Sequence, residues 1–338
     1  MPSFFSYAIW FFELFGTGKS FEKNPIIGNR LLNRMGLHVG RLVLAHAMAN
    51  VRWTLLTALI PKDERRRFRK DGYLVIENFL PQDQFVALKQ EWKSYNGELR
   101  EMIQGNTLTL VGLMHPENAR RHPVSAVVME NKRLLRILAY GASTLRRPIF
   151  FISCIKNGYA DGSKDPQKDT HSDTFHPTMK AWLFVEEVSD ANGPFNYVPG
   201  SNRLTWKRLK WEYKQSVEGK DLKNPYARRG SLRASEAELA ELDLPKPKAL
   251  KVPANTLVMA NTHGFHCRGQ ALEKSSRMAF YMYSRTFPFS PFPGIASRLI
   301  SQIEHILTKK YFEKVDRKAA ANGKLSSFHP VPAKNLHN

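Results

Sequence analysis

Acidic residues and cysteines are the scarce components of this 338-residue chain. Asp and Glu number 30 against 51 Lys and Arg, a formal net charge of +21. That excess selects anionic partners: nucleic acid, acidic lipid, or a substrate bearing carboxylate or phosphate. Two cysteines, Cys154 and Cys267, cannot build a disulfide framework. With no CxxC pair and no Cys/His zinc spacing, the sequence argues against structural zinc and reads as a chain of a reducing compartment. Internal repeats are missing as well. Ordinary hydrophobic (42%) and charged (24%) contents exclude a disordered, collagen-like or coiled-coil chain and leave material for a real core.

Long hydrophobic runs are also lacking. The opening MPSFFSYAIWFFELFG resembles the apolar part of a signal peptide, but it has no basic start, is interrupted by Glu13, and is not followed by a small-residue cleavage pattern. It is too short to span a bilayer, which takes about 20 apolar residues. The stretch from Gly40 to Ile60 has the length but contains Arg41, His46, Asn50 and Arg52. At about 100° per residue, Arg30, Arg34, His38, Arg41 and Arg52 fall on one side of a helix. Gly36 and Gly40 divide that stripe between two shorter pieces. Two readings follow, a buried helix with a solvated charged edge or an interfacial helix. The Phe/Trp-rich residues before it and the basic run Arg65 to Lys70 after it favour the second, a helical extension over 1–64 lying on an anionic membrane surface.

From Asp71 the texture changes. DGYLVIENFL reads as a turn and a strand, and Pro81 opens a helix carrying Phe85, Leu88 and Trp92 at helical spacing. Further strands are expected at Arg147 to Ile155, Lys180 to Val188, Asn255 to His263 and Arg277 to Arg285, each rich in β-branched or aromatic residues. Several strands separated by Gly, Pro and Asn turns, with few helices between, predict a β-sandwich or barrel over 65–290. A polar, basic insertion interrupts it at 202–248. An amphipathic helix from Gly294 and a loose end are expected in 291–338.

The triplet His171-Ser172-Asp173 carries the chemistry. On a strand, period two sends residues 171 and 173 to the same face, so an imidazole and a carboxylate converge. Two histidines and one carboxylate hold an iron while leaving positions open. Spacing alone is a weak signal, because about one H-x-[D/E] arises by accident in a chain with this many histidines; His115-Pro116-Glu117 is the decoy. Context decides. After HSD come KAWLFVEEVSDANGPFNYVPGSNR, then HGFHCRG and SRMAFYMYSR. With the opening FRKDGYLVIENFL, this succession resembles the phytanoyl-CoA dioxygenase family of Fe(II)- and 2-oxoglutarate-dependent oxygenases over roughly residues 65–287.

The resemblance implies a double-stranded β-helix (jelly-roll, cupin-like) core and a reaction using Fe(II), 2-oxoglutarate and O₂. It implies His171, Asp173 and a distal histidine as the iron ligands. His266 is preferred because Gly269 and Arg277 follow it as in the family, and His263 is the runner-up. Arg277 is the expected anchor of the 2-oxoglutarate tail, since guanidinium meets a carboxylate with two parallel contacts, and it is placed on a strand beside that of His266. Trp182 corresponds to a tryptophan near the co-substrate. His176 reads as pocket wall, Cys267 as a small buried hydrophobe, and Pro199-Gly200-Ser201 as turn architecture.

Substrate identity is less specified. WKRLKWEYK (Trp206 to Lys214) and Arg228-Arg229 in the insertion would grip an anionic substrate, while the N-terminal region holds the enzyme on lipid at the cytoplasmic side of the inner membrane. That profile looks like a hydroxylase of the Kdo sugar of a lipopolysaccharide precursor. Another lipid, an acyl-CoA or a small metabolite is the alternative within the class. A nucleic-acid oxygenase or a non-catalytic membrane-binding protein are alternatives outside it. The sequence contains no dedicated nucleic-acid module and names no protein partner.

Overall fold

The computed structural model describes residues 4–159, 165–272, 274–284 and 286–336. The chain begins with helices α1 (Phe4–Leu14), α2 (Arg30–Arg34), α3 (Leu37–Leu55) and α4 (Lys62–Asp71), then strand β1 (Tyr73–Ile76) and α5 (Gln82–Lys93). A hairpin of β2 (Leu99–Gln104) and β3 (Thr107–Leu113) leads to three short helices, α6 (Pro116–Arg121), α7 (Pro123–Met129) and α8 (Lys132–Gly141). Next come β4 (Ile149–Asn157), β5 (Met179–Phe184) and β6 (Phe195–Tyr197), followed by α9 (Trp206–Val217), α10 (Pro225–Arg228) and α11 (Glu236–Glu241). The remainder is β7 (Lys248–Leu250), β8 (Thr256–Asn261), β9 (His266–Arg268), β10 (Ser276–Ser284), α12 (Arg298–Ala320) and β11 (His329–Val331).

Eight strands form one antiparallel sheet in the order β1-β8-β5-β10-β4-β3-β2-β11, and β7-β6-β9 form a second. This is the double-stranded β-helix core. The two faces of β10 show how the sequence divides the layers. Its Phe280 and Met282 point to a core shared with Phe68 of α4, Leu88 and Trp92 of α5, and Leu134 and Leu138 of α8. The alternate residues Arg277, Ala279, Tyr281 and Tyr283 face the interior between the sheets. There they meet Trp182 and Lys180 of β5 and Phe151 of β4 in register.

Four expectations are corrected. Helices are not few: α6, α7 and α8 fill 116–141, started by Pro at the first helical position in α6 and α7 and by the Asn131 side chain in α8. The tail is not loose as far as Leu336, because β11 pairs with β2 and extends the sheet, while 337–338 lie outside the described residues. His266 and Arg277 are not on neighbouring strands: β9 pairs with β6 in the small sheet and β10 with β4 and β5 in the large one. The short link between them therefore crosses from one sheet to the other.

The fourth correction concerns the arginine stripe, whose members on α3 face inward while Arg30 and Arg34 on α2 stay exposed. His38, Arg41 and Arg52 are buried, while Val43, Leu44, Val51 and Leu55 on the same helix are exposed. Carbonyls of the neighbouring loops explain the inversion. The Arg41 guanidinium donates to Leu14 O at 2.9 Å and Gly18 O at 2.7 Å, and Arg52 donates to Ser143 O at 3.0 Å and to Ser290 O. A buried cation is tolerated where it satisfies several backbone acceptors at once. The N-terminal helices consequently pack on the insertion: Asn33 Nδ2 donates to Ser216 O at 3.0 Å, and His38 Nε2 lies 2.8 Å from Glu212 Oε2. Within the insertion, Arg208 turns inward onto Glu212 at 2.9 Å, so that cation of α9 does not grip solvent-borne ligands.

Candidate metal centre and co-substrate site

His171 lies outside any regular strand. It makes isolated antiparallel bridges to His266 and Arg233, with both amides of the His171/His266 pair donating across at 2.9 Å. The Asp173 amide donates to Thr262 O at 2.9 Å, which folds the carboxylate back toward the same point. His266 is positioned by a tight turn whose Gly264 has no room for a side chain: a Cβ there would lie 1.8 Å from Tyr197 Oη. Ser201 Oγ accepts from the Phe265 amide at 2.8 Å, so the Pro199-Gly200-Ser201 turn buttresses this loop.

The ligand atoms of His171, Asp173 and His266 all lie within 4.8 Å of one another. Each imidazole Nε2 is 3.7 Å from Asp173 Oδ1. Each Nδ1 is paired with a backbone carbonyl, His171 with Asp169 O at 2.7 Å and His266 with Gly264 O at 2.9 Å. That pairing fixes the tautomer with the Nε2 lone pair facing the cluster. Burial, then the neighbouring imidazole, holds His171 well below its ordinary pKa; burial lowers His266 as well, against the opposing pull of Asp173. Both rings are therefore neutral, as a ligand must be. Burial would raise the Asp173 carboxyl, but Lys180, through its charge and its hydrogen bond, pulls it the other way and keeps it ionised. Lys180 Nζ holds Oδ2 at 2.7 Å, leaving Oδ1 toward the histidines.

His263 stands apart. Its ring packs 4.4 Å from that of His46, and Nδ1 pairs with Thr174 O at 3.0 Å. The structure brings His266, not His263, to His171 and Asp173. His176 lines the cavity described below. Trp182 is sandwiched between Phe195 at 4.6 Å and Tyr281 at 5.8 Å, and Phe195 in turn lies 5.4 Å from His266. Cys267 is buried.

Arg277 is buried, and its Nη1 has no hydrogen-bond partner among the described residues. Burial, reinforced by nearby Arg268, pulls its pKa down to about 9. Arg268 is already neutralised by Asp165 at 2.7 Å, so Arg277 is the cation that calls for an incoming carboxylate. Neutral imidazoles, an ionised carboxylate and this unsatisfied guanidinium suit a divalent iron and a dicarboxylate co-substrate.

From Asp173 a cavity of about 570 Å³ runs along the inner face of the large sheet past Lys180, Tyr281, Tyr283, Phe151 and Val111 to Phe312 and Phe328. Phe151 and Tyr283 stack at 5.9 Å and Tyr281 and Tyr283 at 6.1 Å, forming a flat aromatic wall. Sequence reasoning missed Lys180, Lys19 and Arg233. Lys180 was readable from strand alternation, two residues before Trp182. Lys19, which lines the cavity and donates to Asp173 O, arrives from 154 residues away and left no local signal. Arg233 arrives through its bridge to His171.

Two antiparallel sheets enclosing a two-histidine, one-carboxylate cluster and a buried arginine define a non-haem Fe(II) oxygenase with a keto-acid co-substrate. A sequence model of the family "Phytanoyl-CoA dioxygenase (PhyH)" matches residues 68–241, half of the chain, and the chain belongs to that family of Fe(II)/2-oxoglutarate-dependent dioxygenases. No curated protein sequence matches it. Among solved structures it is similar to the α-ketoglutarate-dependent epimerase SnoN of nogalamycin biosynthesis, with 15% identity, 67% of this chain and 82% of that one covered, and a TM-score of 0.44. HygX from Streptomyces hygroscopicus, with nickel and 2-oxoglutarate bound, matches at 16% identity, 68% and 88% coverage, and a TM-score of 0.42. The carbocyclase SnoK matches at 18% identity, 72% and 90% coverage, and a TM-score of 0.41.

Proposed function

We propose that this dioxygenase hydroxylates an unactivated C–H bond of an anionic, lipid-linked substrate, with the Kdo sugar of a lipopolysaccharide precursor as the specific candidate, at the cytoplasmic face of the inner membrane. The observation that carries the reading is the cavity leading away from Asp173. Its polar end has the ammonium groups of Lys19 and Lys180, and its wall is aromatic. Lys180 and Lys19 are engaged with Asp173, so the preference for an anionic substrate rests on the basic excess of the whole chain, while flat ring faces suit the C–H face of a sugar. A volume of about 570 Å³ falls within the usual range for a small-molecule site.

His171, Asp173 and His266 would hold Fe(II), and Arg277 would hold the far carboxylate of 2-oxoglutarate. Together with O₂ these supply the oxidising power that replaces C–H by C–OH. The chain's own work is placement. Carbonyls at Asp169 and Gly264 keep both imidazoles oriented, and Lys180 keeps Asp173 ionised and turned toward them. The aromatic wall excludes water and presents the substrate edge-on to the cluster. No side chain is needed as a general base.

His171→Ala or Asp173→Ala is expected to abolish Fe(II)-dependent conversion of 2-oxoglutarate to succinate while the circular dichroism spectrum is retained. Unchanged succinate formation would sink the metal assignment. For the substrate, Kdo-containing lipid A precursor incubated with wild-type enzyme, Fe(II) and 2-oxoglutarate should gain one oxygen by mass spectrometry. An unmodified precursor in a reaction that oxidises another membrane component would retire the Kdo candidate.

A further inference from the structure

The outward face of the N-terminal helices is apolar where a solvated helix would be charged. On α3 the exposed positions include Gly40, Val43, Leu44, Ala47, Val51 and Leu55, with Leu44 at 48% and Leu55 at 59% exposure. They recur at helical spacing and form one stripe. On α1, Ile9, Phe11 and Phe12 are exposed, with Phe12 at 72%, and Phe15 just after it is exposed as well. On the other side, Phe287, Phe292 and Ile295 lead into α12, whose Leu299, Ile303 and Leu307 form a second exposed stripe. Monomeric proteins rarely leave this much contiguous apolar surface to water.

The three pieces adjoin. Arg41 of α3 grips the carbonyls of Leu14, the last residue of α1, and of Gly18 beyond it, and Arg52 near the other end of α3 holds Ser290 O. Thr17, Phe287 and Leu307 line one groove of about 360 Å³. Charge on this surface is predominantly basic. Between Glu22 and Asp63, and again between Glu273 and Glu304, the chain has no Asp or Glu. Glu304 is itself paired with Arg146, and Glu13 accepts a hydrogen bond from Asn24. Exposed Arg30 and Arg34 flank the α3 stripe, and Lys310 and Lys314 continue that of α12. Apolar side chains rimmed mainly by cations match the acyl and headgroup layers of an anionic bilayer. No helix among the described residues is long and apolar enough to cross it.

The active-site mouth opens on the same surface. The outer groove and the cavity that begins at Asp173 share Thr17, Tyr283 and Ser284 as walls. We propose that α1, the outer stripe of α3 and the segment from Phe287 to Leu307 seat the enzyme on anionic phospholipid, so that an amphiphilic substrate enters from the bilayer between Thr17 and Leu307. This rests on the hydroxylase reading only for what happens beyond the mouth. Docking is a separate event with a separate readout.

The test is co-sedimentation of the full chain with phosphatidylcholine vesicles, with or without one quarter phosphatidylglycerol. Wild type is expected to pellet with the anionic vesicles, and Phe12→Asp, Leu44→Asp and Ile303→Asp to lose about tenfold or more in partitioning each. All three positions are exposed, so thermal melts should match wild type. Equal pelleting of wild type and all three variants, or equal uptake by pure phosphatidylcholine, would overturn the proposal. So would a wild-type dimer in light scattering that Leu44→Asp dissolves while vesicles are ignored, since the face would then join two copies of this chain. Succinate formation without vesicle binding would refute docking alone, whereas vesicle binding without succinate would refute the hydroxylase reading and leave docking standing.

Discussion

His263 and His266 are three residues apart, both fully buried, and both carry a ring nitrogen bonded to a backbone carbonyl. Their environments differ. His266 faces an ionised carboxylate and a second neutral imidazole, whereas His263 faces His46 and is held by burial, then by Arg208, down to a pKa of about 3. Only the first surrounding suits a dication. His266→Ala is therefore expected to abolish anaerobic Fe(II) binding, and His263→Ala to leave iron stoichiometry at one while lowering stability by about 1–3 kcal/mol through lost packing and an orphaned carbonyl. Loss of iron with His263→Ala and retention with His266→Ala would exchange the two roles. At this scale the sequence was informative. His171, Asp173, His266 and Arg277 could be named because motif order carries them, and the structure brings the first three to one point. Lys19 could not be named, since nothing near residue 19 marks a side chain that ends beside residue 173.

Elements divide less evenly between what was readable and what was not. The long strands β4, β5, β8 and β10 fall where β-branched and aromatic runs put them, because such runs must be buried on both faces of a sandwich. Helices α6 to α8 hid behind Pro116, Pro123 and Asn131, which serve as helix starts as readily as turns. For α3 the period was right and the polarity wrong. A stripe of cations fixes which residues share a side, but which side faces inward depends on acceptors supplied by remote loops, here those at Leu14, Ser143 and Ser290. Arg52 measures the difference. Burial pulls its pKa to about 10, yet it remains a cation because it binds Ser143 and Ser290. Arg52→Leu is expected to destabilise the protein by about 2–4 kcal/mol in urea titrations, from buried carbonyls left unpaired. Exposed Arg34→Leu should stay within about 0.5 kcal/mol. Equal, small effects of both would return Arg52 to the surface.

Across the whole molecule, charge is distributed by burial rather than by region. The excess of basic residues coats the outside, while the metal-site end of the interior concentrates imidazoles kept neutral. Besides His171 and His266, burial holds His46 well below its ordinary pKa and pulls His176 and His263 down to about 3. Each such group is depressed in the folded state and normal in the unfolded one. The unfolded chain therefore binds the extra proton, and stability present above pH 6.5 is lost as pH falls. Well below that point the loss approaches about 1.4 kcal/mol per pH unit for each imidazole. Glu212, held at about 2 chiefly by Arg208 against the upward push of burial, and ionised Asp173 act in the same direction only below the normal carboxylate range. The window from pH 6.5 to about 5 thus belongs to the histidines. Against a total stability of about 5–15 kcal/mol, their combined titration lowers the stability of the metal-free protein substantially. Its urea midpoint should fall steeply between pH 7 and pH 5, with proton uptake on unfolding seen by calorimetry in buffers of different ionisation enthalpy. His176→Gln and His263→Gln should each flatten that slope even if they lower stability at pH 7. A midpoint independent of pH across the window would mean that these imidazoles are hydrated in the folded protein and that the interior is open to water.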